Sequence, residues 1–144
     1  MDMNADPRSA LGQYRSTGAY GAAGGDRIQL ILHLMDGAID RIVTAKGHMR
    51  RNETAAKGAA VSRAIGLVDG LRTSLDRQAG GELAANLERL YDYMMRRLVE
   101  ANFRNDEAGL DEVAALMDEI RSGWAGMART ASRAPATDSA PLSA

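Results

Sequence analysis

The chain has 144 residues, 18 of them basic and 19 acidic, a net charge of −1 and no cysteine. That balance offers no cationic footprint for nucleic acid, and the missing thiols exclude disulfides, zinc–thiolate centres and cysteine nucleophiles. Apolar residues make up 45% of the chain but aromatics only 4%, so the core must come from Leu, Ile, Val, Ala and Met, which favours helices packed on helices.

Length allows a single domain with one real core. No stretch reaches the roughly 18 uninterrupted apolar residues of a membrane span. The N-terminus MDMNADPRS has no basic region leading into an apolar one, so the expectation is a cytoplasmic protein without a secretory signal or membrane insertion.

Residues 1–25 read as a mobile arm. Gly12, Gly18, Gly21, Gly24 and Gly25 disfavour a long helix, although Asp6 and Pro7 suit the start of a short one. Leu11, Tyr14 and Tyr20 are its large apolar groups. The first main helix is expected from Asp26, with Gln29 completing a capping box. Its seam is Ile28, Leu32, Met35, Ile39, Ile42 and Met49, with Lys46 in the remaining slot. Leu30, Ile31, Leu34, Ala38 and Val43 widen the apolar face, and Gly37 suits a close helix–helix approach.

A second helix runs from about Glu53 to Asp76 on a seam of Val61, Ala64, Val68, Leu71 and Leu75, weakened by Gly58, Gly66 and Gly70. The run from Gln78 to Gly81 breaks it. Glu82 to Arg104 then form the third helix, with Leu83, Leu87, Leu90, Met94, Leu98 and Ala101 as its seam and Tyr91, Met95 and Val99 as a second apolar line. After Asn105–Asp106 comes a fourth helix on Leu110, Val113, Met117, Ile120, Trp124 and Met127. Short connections between helices of similar length predict an all-α fold, an antiparallel up-and-down four-helix bundle over residues 26–128. Residues 129–144, rich in Ala, Ser, Pro and Thr, read as a disordered tail.

Motifs for chemistry are missing. His33 and His48 stand 15 residues apart with no second ligand at metal-binding spacing, and read as one solvent-facing and one boundary histidine. No Glu-x-x-His supports a di-metal carboxylate centre. The paired glycines lack phosphate-loop spacing. Ser62 and Ser74 have no base nearby in sequence. No catalytic residue, metal or cofactor is therefore expected. Arg96 and Arg97 read as a solvated face, with Asp92 and Glu100 at helix spacing from Arg96, in preference to an anion site; Asp36 reads either as a partner for a neighbouring helix or loop or as a residue at the seam's edge. The apolar surplus of Leu30, Ile31, Leu34 and Val43 with Tyr91, Met95 and Val99 has two readings. One is a wide buried face; the other is a groove for an amphipathic helix of a partner, to which Met is well suited.

Three segments resemble the FliS-type flagellar export chaperones. They are LILHLMDGAIDRI (Leu30 to Ile42), GGELAANLERLYDYMMRRLVEANFRND (Gly80 to Asp106) and LDEVAALMDEIRSGWAGM (Leu110 to Met127). Similarity extends over roughly Tyr14 to Met127, and the LYDYM, RRL, AN and ND combination is long and specific. The chain departs at Asp26–Arg27, where the family has Ser-Pro, and at Met35, where it has an aromatic.

The resemblance implies a non-enzymatic chaperone that holds the C-terminal region of flagellin in hydrophobic grooves. It would prevent premature polymerisation and deliver the client to the flagellar type III export apparatus. Tyr14 matches the family's N-terminal tyrosine on the arm. The client-contact residues are then expected to be Tyr14, Leu30, Ile31, Leu34, Val43, Tyr91, Met95 and Val99, in a monomer or weak dimer. The competing reading is a helical adaptor or regulatory bundle with a partner other than flagellin.

Overall fold

The computed structural model describes the backbone of residues 20–142 and the side chains of residues 26–126 and 129. Four helices follow one another: α1 (Tyr20–Arg50), α2 (Thr54–Thr73), α3 (Arg77–Arg104) and α4 (Glu107–Leu142). Each packs on its chain neighbours, and α4 closes back onto α1.

The cross-helix ties give the direction of each pair. Asp36, Lys46 and Arg50 of α1 meet Arg121, Asp111 and Glu107 of α4, in reversed order along the chain. Lys57 and Arg72 of α2 meet Asn102 and Asp92 of α3, also reversed. The result is an up-down-up-down bundle with α1 and α3 on one diagonal.

The core forms where apolar residues recur at steps of three and four. Met35, Ala38, Ile42 and Ala45 of α1 face Val61, Ala64, Val68 and Leu71 of α2 and Leu110, Val113 and Met117 of α4, all at 2% exposure or less. Burying each larger one contributes about 1.5–3 kcal/mol.

The seam of α3 differs at two of six places from the one read in sequence, each shifted by one residue. Ala84, Leu87, Tyr91, Met94, Leu98 and Ala101 are buried, whereas Leu83 is 59% exposed and Leu90 only partly covered. Both sets keep steps of three and four and share four members. Periodicity alone cannot choose between them, and packing against α2 and α4 selects the stripe that carries the tyrosine. On α1, Ala45 takes the core slot assigned to Lys46, whose ammonium instead reaches Asp111 at 2.9 Å.

Helix ends carry other differences. α1 begins at Tyr20, so Asp26 lies within the helix and does not cap it. The break expected over Gln78–Gly81 narrows to a kink inside α3 at Gly81, at φ 54° and ψ −125°, which favours glycine. Arg77–Gly80 form one turn before it, capped by the Asp76 carboxylate, which accepts from the Ala79 amide at 3.0 Å. Asn52 and Asn105 close α1 and α3 in left-handed geometry. In each case the next amide bonds back five residues, Glu53 to His48 and Asp106 to Ala101, both at 2.9 Å. The backbone of α4 continues as helix to Leu142, past residue 128 where the sequence reading ended the bundle.

Two glycines hold helices close. A Cβ on Gly37 would sit 3.2 Å from Leu67 Cδ1, and one on Gly109 would sit 2.9 Å from the Ala101 Cβ and from the Arg97 guanidinium. The Gly37 approach expected from sequence is therefore present, between α1 and α2.

Candidate client-binding surfaces

Two partly apolar surfaces stand out, one on each side of α2. The first is a row on α3: Tyr91, Met95, Val99 and Phe103, at steps of four. Each step of four overshoots a full turn by about 40°, so the row swings about 120° around the helix from start to end. Exposure follows that swing. Tyr91 is 1% exposed, Met95 is partly buried against the core, Val99 is 57% exposed and Phe103 is 84% exposed. The row faces α2, since Asp92, two turns before Val99, pairs with Arg72 of α2. Asn102, two turns after Met95, is met by Lys57 of α2.

The second surface is the groove between α1 and α2. On α1, Leu30, Leu34, Gly37 and Arg41 fall on one stripe at steps of four, three and four, and the contact between Gly37 and Leu67 fixes that stripe toward α2. A cleft of about 400 Å³ opens there, lined by Gly37, Asp40, Arg41, Arg63, Gly66 and Leu67. A smaller one of about 170 Å³ lies at the bundle end beside Gly81, where Leu83 and Trp124 meet Arg27 and Leu75.

The residues expected to contact a client therefore divide. Leu30 is 48% exposed and Leu34 half-buried on the α1–α2 groove, and Val99 and Met95 lie on the α3 row. Val43 is 59% exposed but two turns from Asp36, which reaches Arg121 of α4, so it lies on the opposite flank of α1. Ile31 and Tyr91 are core residues at 4% and 1% exposure and present no surface. Burial pushes the Tyr91 phenol up to about 12. Tyr14 lies outside the described residues. The structure adds Phe103 and Leu83, each exposed and apolar. The step of four beyond Val99 was the available signal for Phe103.

Polar chemistry concentrates where α3 meets the start of α4. Arg97 donates to Glu112 at 2.8 Å, Asp106 at 3.1 Å and Glu100 at 3.0 Å, and the Tyr93 hydroxyl donates to Glu112 at 2.5 Å. Glu100 therefore serves Arg97 in place of Arg96. The Tyr93 hydroxyl and the Arg97 guanidinium hold the Glu112 carboxyl below its usual range. The Gly109 amide and Arg97 do the same for Asp106, which also caps α4.

Lys57, buried at 5% exposure, donates to the Asn102 carbonyl at 2.9 Å and to Asn105 Oδ1 at 2.6 Å, closing the C-terminus of α3. Its position, four residues before Val61 on the α2 seam, gave no hint of this role. His33 is exposed and His48 partly buried beside Glu53, at 2.6 Å. These are ties between helices. Among the described residues, no three His, Cys, Asp or Glu side chains come together to hold a metal, and no helix is long and apolar enough to cross a membrane.

The family profile described as Flagellar protein FliS matches residues 8–131. The chain belongs to the FliS family. It is 52% identical over 99 residues to the flagellar secretion chaperone FliSB of Pseudomonas aeruginosa, covering 69% of this chain and 79% of that protein. It is 46% identical over 97 residues to the flagellar secretion chaperone FliS of Salmonella typhimurium, covering 67% and 72%. With its counterpart from Bacillus subtilis it shares 32% over 96 residues, covering 67% and 71%. The buried Tyr91 and the exposed Val99 and Phe103 all lie within Gly80 to Asp106.

Proposed function

We propose that this FliS-family chain, a flagellar secretion chaperone, binds the C-terminal region of flagellin in the cytoplasm, keeps it from polymerising and passes it to the flagellar export apparatus. The observation that carries the client-binding part is the α3 row, which leaves Val99 and Phe103 in solvent on the flank of the helix that faces α2. A large exposed side chain four residues from another is the pattern a groove-lying helix recognises. Membership of a family whose curated relatives are named flagellar secretion chaperones supports a client that is exported for the flagellum. The work asked of the protein is binding and release without covalent chemistry, in keeping with relatives that are chaperones.

The contact set follows the exposed residues. Val99, Phe103 and Met95 meet the client on the α3 side of α2, with Leu30 and Leu34 on the α1 side. Ile31 and Tyr91 shape these surfaces from beneath. Val43 takes part only if the client also reaches the α1–α4 flank, and Tyr14 only through the arm. A client that is disordered before binding gives up ordering entropy and needs a long apolar track, and surfaces on both sides of α2 supply one.

Co-expression with tagged flagellin tests the reading. Full-length flagellin should copurify the chain, and flagellin lacking its C-terminal region should not. Equal recovery with both would place the contact elsewhere, and recovery with neither would exclude flagellin as the client.

A further inference from the structure

The α1–α2 groove carries charge as well as apolar surface. Arg50 and Arg72, on the same two helices, are tied to Glu107 and to Asp69 and Asp92. Arg41 and Arg63 line the groove with no hydrogen-bond or ion-pair partner among the described residues. Asp40 is the remaining charged group in the lining, which leaves a net charge of +1. At one end of the stripe lie Leu34 and Leu30. Between them and the arginines, Gly37 and Gly66 add no side chain to the groove floor and Leu67 adds an apolar one.

We propose that this groove takes a carboxylate-bearing helical stretch of the client, its acidic groups on Arg41 and Arg63 and its apolar side chains on Leu67, Leu34 and Leu30. The inference rests on the export-chaperone reading and specifies the chemistry of the segment recognised. Guanidinium groups present planar, paired donors that match carboxylates. A small anion would leave the leucines unused. A nucleic-acid backbone would meet Asp40 with only two cations to hold it. An amphipathic segment uses both halves of the groove, and Asp40 penalises an extended polyanion, so its rejection adds specificity.

The test is fluorescence anisotropy with a labelled flagellin C-terminal region, comparing wild-type protein, an Arg41→Glu/Arg63→Glu double variant and a Leu30→Asp variant. Melting temperatures of the three serve as the check on folding. The double variant is expected to weaken binding about tenfold at about 50 mM salt, with the loss shrinking toward twofold at about 500 mM as charges are screened. A client whose acidic residues are changed to Asn or Gln should bind wild-type protein about tenfold more weakly and be indifferent to the arginine changes, because the two partners then share one lost interaction.

Unchanged affinity of the double variant, with Leu30→Asp still weakened, would overturn the charge assignment and leave the client reading intact. A client that loses nothing on neutralisation of its acidic residues would overturn it as well. Equal competition by millimolar inorganic phosphate would make this a small-anion site and overturn it too. Loss of all binding by wild-type protein would remove the client reading and the inference together.

Discussion

Tyr91 and Phe103 occupy the two ends of one row, and substituting each by alanine separates support from contact. Tyr91 is 1% exposed, and removing a buried aromatic side chain costs about 3–5 kcal/mol through lost transfer energy and the cavity left behind. For a chain of this size each kcal/mol shifts the midpoint by about 3–5 °C, so Tyr91→Ala should melt about 10–20 °C lower. Phe103 is 84% exposed. Its removal takes almost nothing from the folded state, and Phe103→Ala should melt within about 2 °C of wild type. Client affinity should move the other way, with Phe103→Ala or Val99→Asp losing about tenfold or more, as truncated anchor residues do. Circular dichroism melts and anisotropy with the flagellin C-terminal region read both quantities on the same samples. A Tyr91→Ala protein that melts like wild type and fails to bind client would refute the argument, because the row would then be surface throughout. So would a Phe103→Ala protein that unfolds.

Gly109→Ala should lower the urea midpoint by the equivalent of about 1–3 kcal/mol, since its Cβ would press on Ala101 and Arg97 at 2.9 Å. Lys57→Met keeps the buried stem and strands the Asn102 carbonyl and Asn105 Oδ1; chemical denaturation should show a loss of about 1–3 kcal/mol. The carboxyls of Asp106, Glu112 and Glu53 are held below their usual range by the Gly109 amide, by Tyr93 and by His48 respectively, with Arg97 or Arg51 adding to each. Their stabilisation is complete above the unfolded-state values near about pH 4 and is lost as pH falls through the lower folded-state values. The melting temperature should accordingly hold from neutral pH to about pH 5 and fall below it, with a smaller fall in Arg97→Gln. Gly58→Ala, Gly66→Ala and Gly70→Ala each meet open space, and each should stabilise the free protein by about 0.5–1 kcal/mol in the same denaturation assay.

The helices and their order were legible because apolar spacing of three and four is dictated by helix geometry. Val61, Ala64, Val68 and Leu71 stand in the core as that spacing requires. The contact surface was much less legible. Tyr91 and Leu90 are adjacent and both complete a regular stripe, and only the packing of α3 against two neighbours decides that Tyr91 goes in. Polar ties escaped for a different reason. Lys57 with Asn105, and Lys46 with Asp111, join residues 48 and 65 positions apart, and a single sequence carries no local trace of such distances. For Asp36 the sequence left two readings, a partner on a neighbouring helix or loop and a place at the seam's edge; the structure pairs it with Arg121 of α4 while its side chain stays half exposed.

The described residues tie the two ends of the bundle in different ways. At the end where α1 and α3 finish lie the Arg97 cluster, the Lys57 cap, the Arg50–Glu107 and Lys46–Asp111 pairs and both left-handed asparagines. The other end has the break at Gly81, the cleft under Leu83 and a partly buried Trp124. That second end has ties of its own among the described residues: Arg77 pairs with Glu88, Arg72 with Asp69 and Asp92, and the Asp76 carboxylate caps the turn at Ala79. The two proposed contact surfaces are distributed across both ends: Phe103 sits near the first and Leu30 toward the second. A client that touches both binds only the folded bundle, and by mass action it raises the stability of the chain as a whole. Binding and folding are then coupled on the chaperone's side as well as the client's.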